Sequence, residues 1–257
     1  EWNGVWYFND TTVTDTGFYT SYAFGGTTAT NSGKEGNIWY FGFGAGLDFN
    51  SGVPIALTDG QLNTNEGCAS IADQNAGLLG HSSSTQSAII VKKPGSTTIY
   101  YLFTVDGMSG NSGDFNYSEV DMTLDGGLGA INTNKNILVF PDACEKITAI
   151  THQNGIDFWI VSRLENSNTY HSYLLTPSGF NMTPVITNIG PIYNLDLGYL
   201  KAAPNGTKIA AANWITNSFE LFDFNNNTGV LSNSLTHYTG DAYGLEFSPN
   251  SNILYVS

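Results

Sequence analysis

"LKAAPNGTKIAAAN" (Leu200–Asn213) and "LEFSPNSNILYVS" (Leu245–Ser257) share one plan: an apolar segment, a Pro-Asn turn, then a second apolar segment. Leu200 to Leu245 is 45 residues, and so is Pro204 to Pro249. Asn and Gly close such turns because both tolerate a left-handed backbone. Two apolar runs joined in this way read as an antiparallel hairpin.

Working outward, the hairpin at 200–213 opens a larger unit. Residues 198–236 read as four strands, "YLKAAP", "KIAAANW", "SFELFDF" and "VLSNSLTH", with turns "NG" and "NNNTG". Residues 147–188 follow the same plan with turns "QNG" and "PSG", and residues 87–139 follow it with "KPGS" and "LDGGLG". The turn glycines Gly95, Gly155 and Gly206 are 60 and 51 residues apart. A repeated four-stranded meander cannot bury both of its faces alone, so several must pack radially. The expected fold is therefore all-β, a β-propeller of four-stranded antiparallel blades.

Two irregularities interrupt the repeat. Hairpin signals around Asn75 and Gly95 lie only 20 residues apart, too few for a third and fourth strand. Residues are expected to be missing there, near 74–78. "YGLEFSPNSNILYVS" supplies only the first hairpin of a unit, so the propeller is expected to be an incomplete fragment. Residues 37–257 form the propeller-like domain, and residues 1–36 are an N-terminal segment without an assignable pattern.

Composition narrows the function. Charged residues make up 12% of the chain, about half the usual share. Eight basic residues against 22 acidic ones give a net charge of −14. Phosphate-backbone binding needs Lys and Arg, so nucleic acid is excluded as a partner, as is an anionic membrane surface. No segment approaches the roughly 18 apolar residues of a membrane span. Cys68 and Cys144 allow one disulfide in an oxidising compartment, or two small buried hydrophobes.

Several constellations invite a chemical reading. "GHSSSTQS" sets His81 beside Ser82, Ser83 and Ser84. Neighbours on a strand point to opposite faces and no nucleophile elbow is present, so it reads as a polar loop. The carboxylates to weigh for glycoside hydrolysis are Asp59, Glu66, Asp73, Asp106, Asp114, Glu119, Asp121 and Glu145. Glu119 and Asp121 share a strand face, and solvated acids are the simpler account. "DFNNNTG" alternates Asp223, Asn225 and Asn227 as a Ca²⁺ loop does. Its Gly comes one place late, and Ser234 stands where a closing Glu belongs, so a tight turn is preferred. His81, His152, His171 and His237 lack zinc spacing. Of the tryptophans Trp2, Trp6, Trp39, Trp159 and Trp214, Trp39 and Trp159 lie inside apolar runs and read as core. Trp214 ends a strand and is the candidate ligand contact.

"ALTDGQLNTNEGCASIADQN", "GLLGHSSSTQSAIIVKKPGSTTIYYLFTVD", "GYLKAAPNGTKIA", "FELFDFNNNTGVLSN" and "YGLEFSPNSNILYVS" resemble the propeller-like (WD40-like) domain of Bacteroidetes surface proteins. These are the gliding-motility-associated, adhesin-like substrates of type IX secretion. The resemblance spans about 37–257. It departs where family members carry an extra aromatic strand after "ADQN" and further blades after "LYVS". It implies a secreted, extracellular, cell-surface adhesin-like protein, with a non-catalytic binding propeller supporting adhesion or gliding. The implied partners are surface glycans, other extracellular proteins and further domains of a longer chain. It also implies O-glycosylation at Asp10-Thr11-Thr12, on Thr11. Two alternatives stay open: a secreted glycan-binding or carbohydrate-active domain, and a structural subunit of an extracellular filament. No cofactor is expected, with Ca²⁺ the one metal weighed.

Overall fold

The computed structural model describes residues 38–41, 45–48, 51, 53, 55–58, 79–81, 83–107, 113–127, 129–240 and 242–257. Thr11, Cys68, Ser82, the segment 1–36 and the expected gap at 74–78 lie outside the described residues. Strands β1 (Ile38–Phe41), β2 (Ala45–Asp48) and β3 (Ile55–Leu57) form an antiparallel three-stranded sheet.

The units seen in the sequence become separate antiparallel sheets. β4 (Ala88–Lys92), β5 (Ile99–Val105), β6 (Phe115–Asp121) and β7 (Ala130–Ile131) pair in chain order, and β8 (Ile137–Phe140) also pairs with β6. β9 (Ala143–Thr151), β10 (Phe158–Leu164), β11 (Thr169–Thr176) and β12 (Gly179–Phe180) do the same, with β13 (Val185–Asn188) on β11. β14 (Leu200–Ala202), β15 (Lys208–Asn213), β16 (Ser218–Asn225) and β17 (Val230–Tyr238) form the third such sheet. β18 (Leu245–Phe247) and β19 (Leu254–Val256) form a hairpin. Among the described residues the only helical element is a three-residue 3-10 turn at Asp125–Gly127.

The repeated turns close alike. Gly95, Gly155 and Gly206 have φ of 71°, 70° and 70°, in the left-handed region where a Cβ is costly. The corresponding Ser251 adopts φ 61°. Each Asn before the turn end folds its side chain onto the backbone two residues on. Asn154 Oδ1 accepts from the Ile156 N–H at 2.9 Å, Asn205 Oδ1 from Thr207 at 3.0 Å, and Asn250 Oδ1 from Asn252 at 3.2 Å.

Strand alternation gives each sheet two apolar faces, and three cores fill the spaces between sheets. The first joins Ile89, Val91, Tyr101, Phe103 and Phe115 to Ile147, Ile160, Tyr173 and Leu175. It is rich in rings, with the Phe103 and Phe180 centroids 5.0 Å apart. The second sets Ile150, Trp159, Val161 and Tyr170 against Leu200, Ile209, Phe222 and Phe224. Burying a side chain of this size stabilises the fold by about 1.5–3 kcal/mol. Trp159 is core, as its run suggests, and its indole N–H donates to the Asn226 carbonyl at 2.9 Å. The third core is alanine-rich: Ala203, Ala210, Ala212 and Ala242 meet Leu245 and Phe247.

The first strands of successive sheets touch: β4 packs on β9, β9 on β14, and β14 on β18. The last strand β17 is largely exposed. First strands inside and last strands outside make a propeller-like arrangement of antiparallel sheets.

Candidate active site on the inner strands

Because the first strands converge, side chains far apart in sequence meet at the ends where the inter-sheet connections arrive. Thr85 precedes β4, Glu145 lies on β9, Tyr199 and Lys201 lie at and on β14, and Tyr243 and Glu246 at and on β18. They form one continuous chain of contacts. Glu145 Oε2 accepts from the Thr85 N–H at 2.7 Å and from its hydroxyl at 2.9 Å. Thr85 Oγ1 lies 3.0 Å from the Tyr243 hydroxyl. The Tyr243 and Tyr199 rings are 6.3 Å apart. Lys201 Nζ stands 5.5 Å over the Tyr199 ring and 3.1 Å from Glu246 Oε2.

Local sequence explains the placement of Lys201. Leu200 and Ala202 face the second core, so alternation turns Lys201 the other way, toward β18. Burial lowers the Lys201 pKa, and the Glu246 carboxylate pulls it back up by favouring the charged form. Lys201 is enclosed, whereas the Glu246 side chain is 55% exposed. The pair thus couples a desolvated cation to a carboxylate that water reaches. Gln86 fixes the frame: its Oε1 accepts from the Leu200 N–H at 2.7 Å and the Ile147 N–H at 3.3 Å, and its Nε2 donates to the Leu200 carbonyl at 3.1 Å. One carboxamide therefore ties β14 to β9.

A second charged cluster lies between β9–β11 and β14–β17. Lys146 Nζ is 3.0 Å from Asp196 Oδ1, and Arg163 Nη1 is 2.8 Å from Asp196 Oδ2 and 3.3 Å from Glu220 Oε2. Arg163 also donates to the Ser167 and Pro191 carbonyls. All four side chains are buried, so the cluster joins sheets and offers a substrate no access. Burial pushes the Glu220 pKa up to about 7, against the pull of Arg163.

Apart from Glu145, the described residues singled out in the sequence lie elsewhere, and Asp59, Glu66 and Asp73 lie outside the described residues. His81 Nδ1 accepts from the Ser83 N–H at 3.2 Å, and the Ser84 hydroxyl is buried without a hydrogen bond. Glu119 accepts from the Tyr101 hydroxyl at 2.7 Å and Asn132 at 3.0 Å. Burial raises its pKa, but hydrogen bonds from Asn132, Tyr101 and Asn134 outweigh this and lower it. Asp121 accepts from the backbone and hydroxyl of Thr123. Asp223 is held by Lys208 and, at 2.7 Å, by Asn233, while Asn225 accepts from the Asn227 and Thr228 N–H groups. Among the described residues no group of three or more His, Cys, Asp or Glu gathers to hold a metal. Cys144 is a buried free thiol. Trp214 stands at the tip of the β15–β16 turn, beside a depression of about 250 Å³ that it lines with Ile215 and Asn217.

Of the six residues in the inner chain, only Glu145 stands among the carboxylates that the sequence marks for chemistry. One signal was nonetheless present. Lys201 and Glu246 occupy the same place, second in "LKAAPNG" and "LEFSPNS".

No family model and no curated protein matches the chain. Solved structures do. A protein of unknown function from Desulfotomaculum acetoxidans is 16% identical with a TM-score of 0.46, covering 86% of this chain and 58% of its own. A putative 6-phosphogluconolactonase from Bacteroides fragilis is 11% identical with a TM-score of 0.46, covering 87% and 74%. The periplasmic gluconolactonase of Pseudomonas aeruginosa is 13% identical with a TM-score of 0.48, covering 82% and 55%. The chain thus spans less than two thirds of two of these three. The expectation of a non-catalytic adhesin is corrected here. Titratable side chains from three inner segments, Glu145 on β9, Tyr199 and Lys201 at β14, and Tyr243 and Glu246 at β18, meet through Thr85 on this chain's own inner strands. At such identities and scores the likeness carries no substrate over to this chain.

Proposed function

We propose that this chain is a hydrolase acting, at its inner strands, on a small neutral polyhydroxylated lactone or ester. The observation that carries the reading is the Lys201–Glu246 pair, a buried ammonium 3.1 Å from a water-accessible carboxylate. Glu246 acts as general base, taking a proton from water as its oxygen attacks the carbonyl carbon. The carbonyl oxygen becomes an oxyanion beside the Lys201 ammonium. Collapse of the intermediate breaks the bond to the ring or leaving oxygen, which recovers the proton from Glu246. Tyr199 and Tyr243 flank the pair with rings and phenols suited to a hydroxyl-rich substrate. Net charge of −14 and the carboxylates of Glu145 and Glu246 favour a neutral substrate over a phosphorylated one.

Sugar lactones are the first compounds to assay, since a gluconolactonase is among the similar structures. Turnover of gluconolactone is followed by proton release. Glu246→Gln is expected to lower kcat/KM by about 10²–10⁴-fold and Lys201→Met by about 10²–10³-fold. Absence of turnover on lactones and aryl esters, or turnover that survives both substitutions, overturns the proposal.

A further inference from the structure

The tip between β15 and β16 departs from ordinary turn chemistry. Turns favour polar residues, yet this one presents Trp214 at 48% exposure and Ile215 at 46%. The tip is firmly held. The Trp214 N–H donates to the Leu197 carbonyl at 3.0 Å, and the Asn217 N–H donates to the Trp214 carbonyl at 3.1 Å. Asn213 Oδ1 accepts from both the N–H and the hydroxyl of Thr216. Asn213 Nδ2 donates in turn to Asp196 Oδ1 at 2.8 Å, so the tip is anchored on the buried ion cluster. Asn217 is also held left-handed, at φ 51°. An indole and an isoleucine are thus displayed on a rigid mount around a shallow depression.

We propose that Trp214 and Ile215 form a platform for one neutral pyranose ring, with Asn217 as its polar contact. A pyranose has a face of C–H groups that lies flat on an aromatic surface and a rim of hydroxyls for an amide. The depression, about 250 Å³, is smaller than the roughly 300–1,000 Å³ of drug-sized ligand sites, and a single ring suits it. The chain's charge of −14 favours an uncharged ligand over an anionic one. The tip stands about one and a half strand spacings, ~7 Å, outward from β14, and Trp214 lies ~13 Å further along the strands than Lys201, which pairs with Ala210. It is thus a binding site separate from the hydrolytic pair, and it stands independently of the hydrolase reading.

The test is the indole N–H resonance of Trp214, assigned by its loss in Trp214→Phe, in titrations with methyl β-glucopyranoside and methyl β-galactopyranoside. A saturable shift in the millimolar range is expected, as for a ligand of a dozen heavy atoms, together with a shift of the Asn217 side-chain amide. Affinity measured by calorimetry falls about tenfold in Trp214→Ala, because the stacking surface is gone. Glu246→Gln keeps the shift, so loss of turnover and loss of the platform are read separately. No shift with either pyranoside, or affinity unchanged in Trp214→Ala, overturns the proposal.

Discussion

The backbone N–H of Asn205 donates to the Ser251 hydroxyl at 3.0 Å, joining the turn tips of two neighbouring sheets. Ser251 does this from a left-handed backbone, φ 61°, at the place where three other turns carry glycine. Two effects therefore oppose each other at one residue. Ser251→Ala loses the acceptor and keeps the strain, whereas Ser251→Gly loses the acceptor and relieves it. The glycine variant is expected to be more stable than the alanine variant by about 1 kcal/mol. Urea unfolding midpoints of the two variants check this, and equal midpoints would contradict it.

Arg163 is the cation that Asp196 and Glu220 share. Arg163→Met leaves Glu220 buried without its counter-charge and should cost about 3–5 kcal/mol. Adding Glu220→Gln removes the stranded acid and should restore part of that loss. If the double variant is no more stable than Arg163→Met alone, the coupling is refuted.

Glu220 also predicts a pH dependence. Its folded pKa of about 7 lies above the ordinary 4.5, so between those values the folded state holds the proton that the unfolded state has released. Stability then falls as pH rises from 4.5 to 7 and levels off above, by at most about 3 kcal/mol. Burial lowers the His171 pKa, which works in the opposite direction as pH rises toward 6.5. Comparing the protein with Glu220→Gln isolates the Glu220 contribution. Parallel stability curves for the two would rule it out.

Cys144 is fully enclosed, and burial, with Asp196 nearby, pushes its pKa up to about 12. Both its lack of exposure and its protonation suppress thiolate chemistry. Iodoacetamide at pH 8 should leave it unmodified in the native protein and alkylate it without reductant once urea is added. A Cys144 that stays unmodified in urea until reductant is supplied would instead be disulfide-bonded.

The turns were legible because their conformation is decided locally: Asn-Gly at 205–206 and 154–155 specifies both the left-handed residue and the side-chain bond before it. The strands followed, since "KIAAAN" keeps its polar residues at the ends and "SFELFDF" places aromatic or aliphatic residues at 219, 221, 222 and 224 between turn signals. The inner-strand chain was not legible in that way. Thr85 and Tyr243 touch across 158 residues, and no local spacing records a contact made only by stacking sheets. The ion cluster was hidden for a related reason. Asp196 comes from a connection, and nothing in "NLDLGY" announces that it will be enclosed by Lys146 and Arg163.

The alanine bed beneath β18 and β19 has a consequence for how the molecule opens. The first two cores interlock rings and branched chains, while the third meets its neighbour with Ala203, Ala210 and Ala212, which offer few methylenes to desolvate. The β18–β19 hairpin should therefore be the cooperative unit with the lowest opening free energy, exchanging its amide hydrogens sooner than β9 or β10. It is also the unit that carries Tyr243 and Glu246. On warming, the carboxylate leaves Lys201 while the ring-filled sheets are still closed, so the hydrolysis proposed for this pair should fade before the far-ultraviolet signal of the strands.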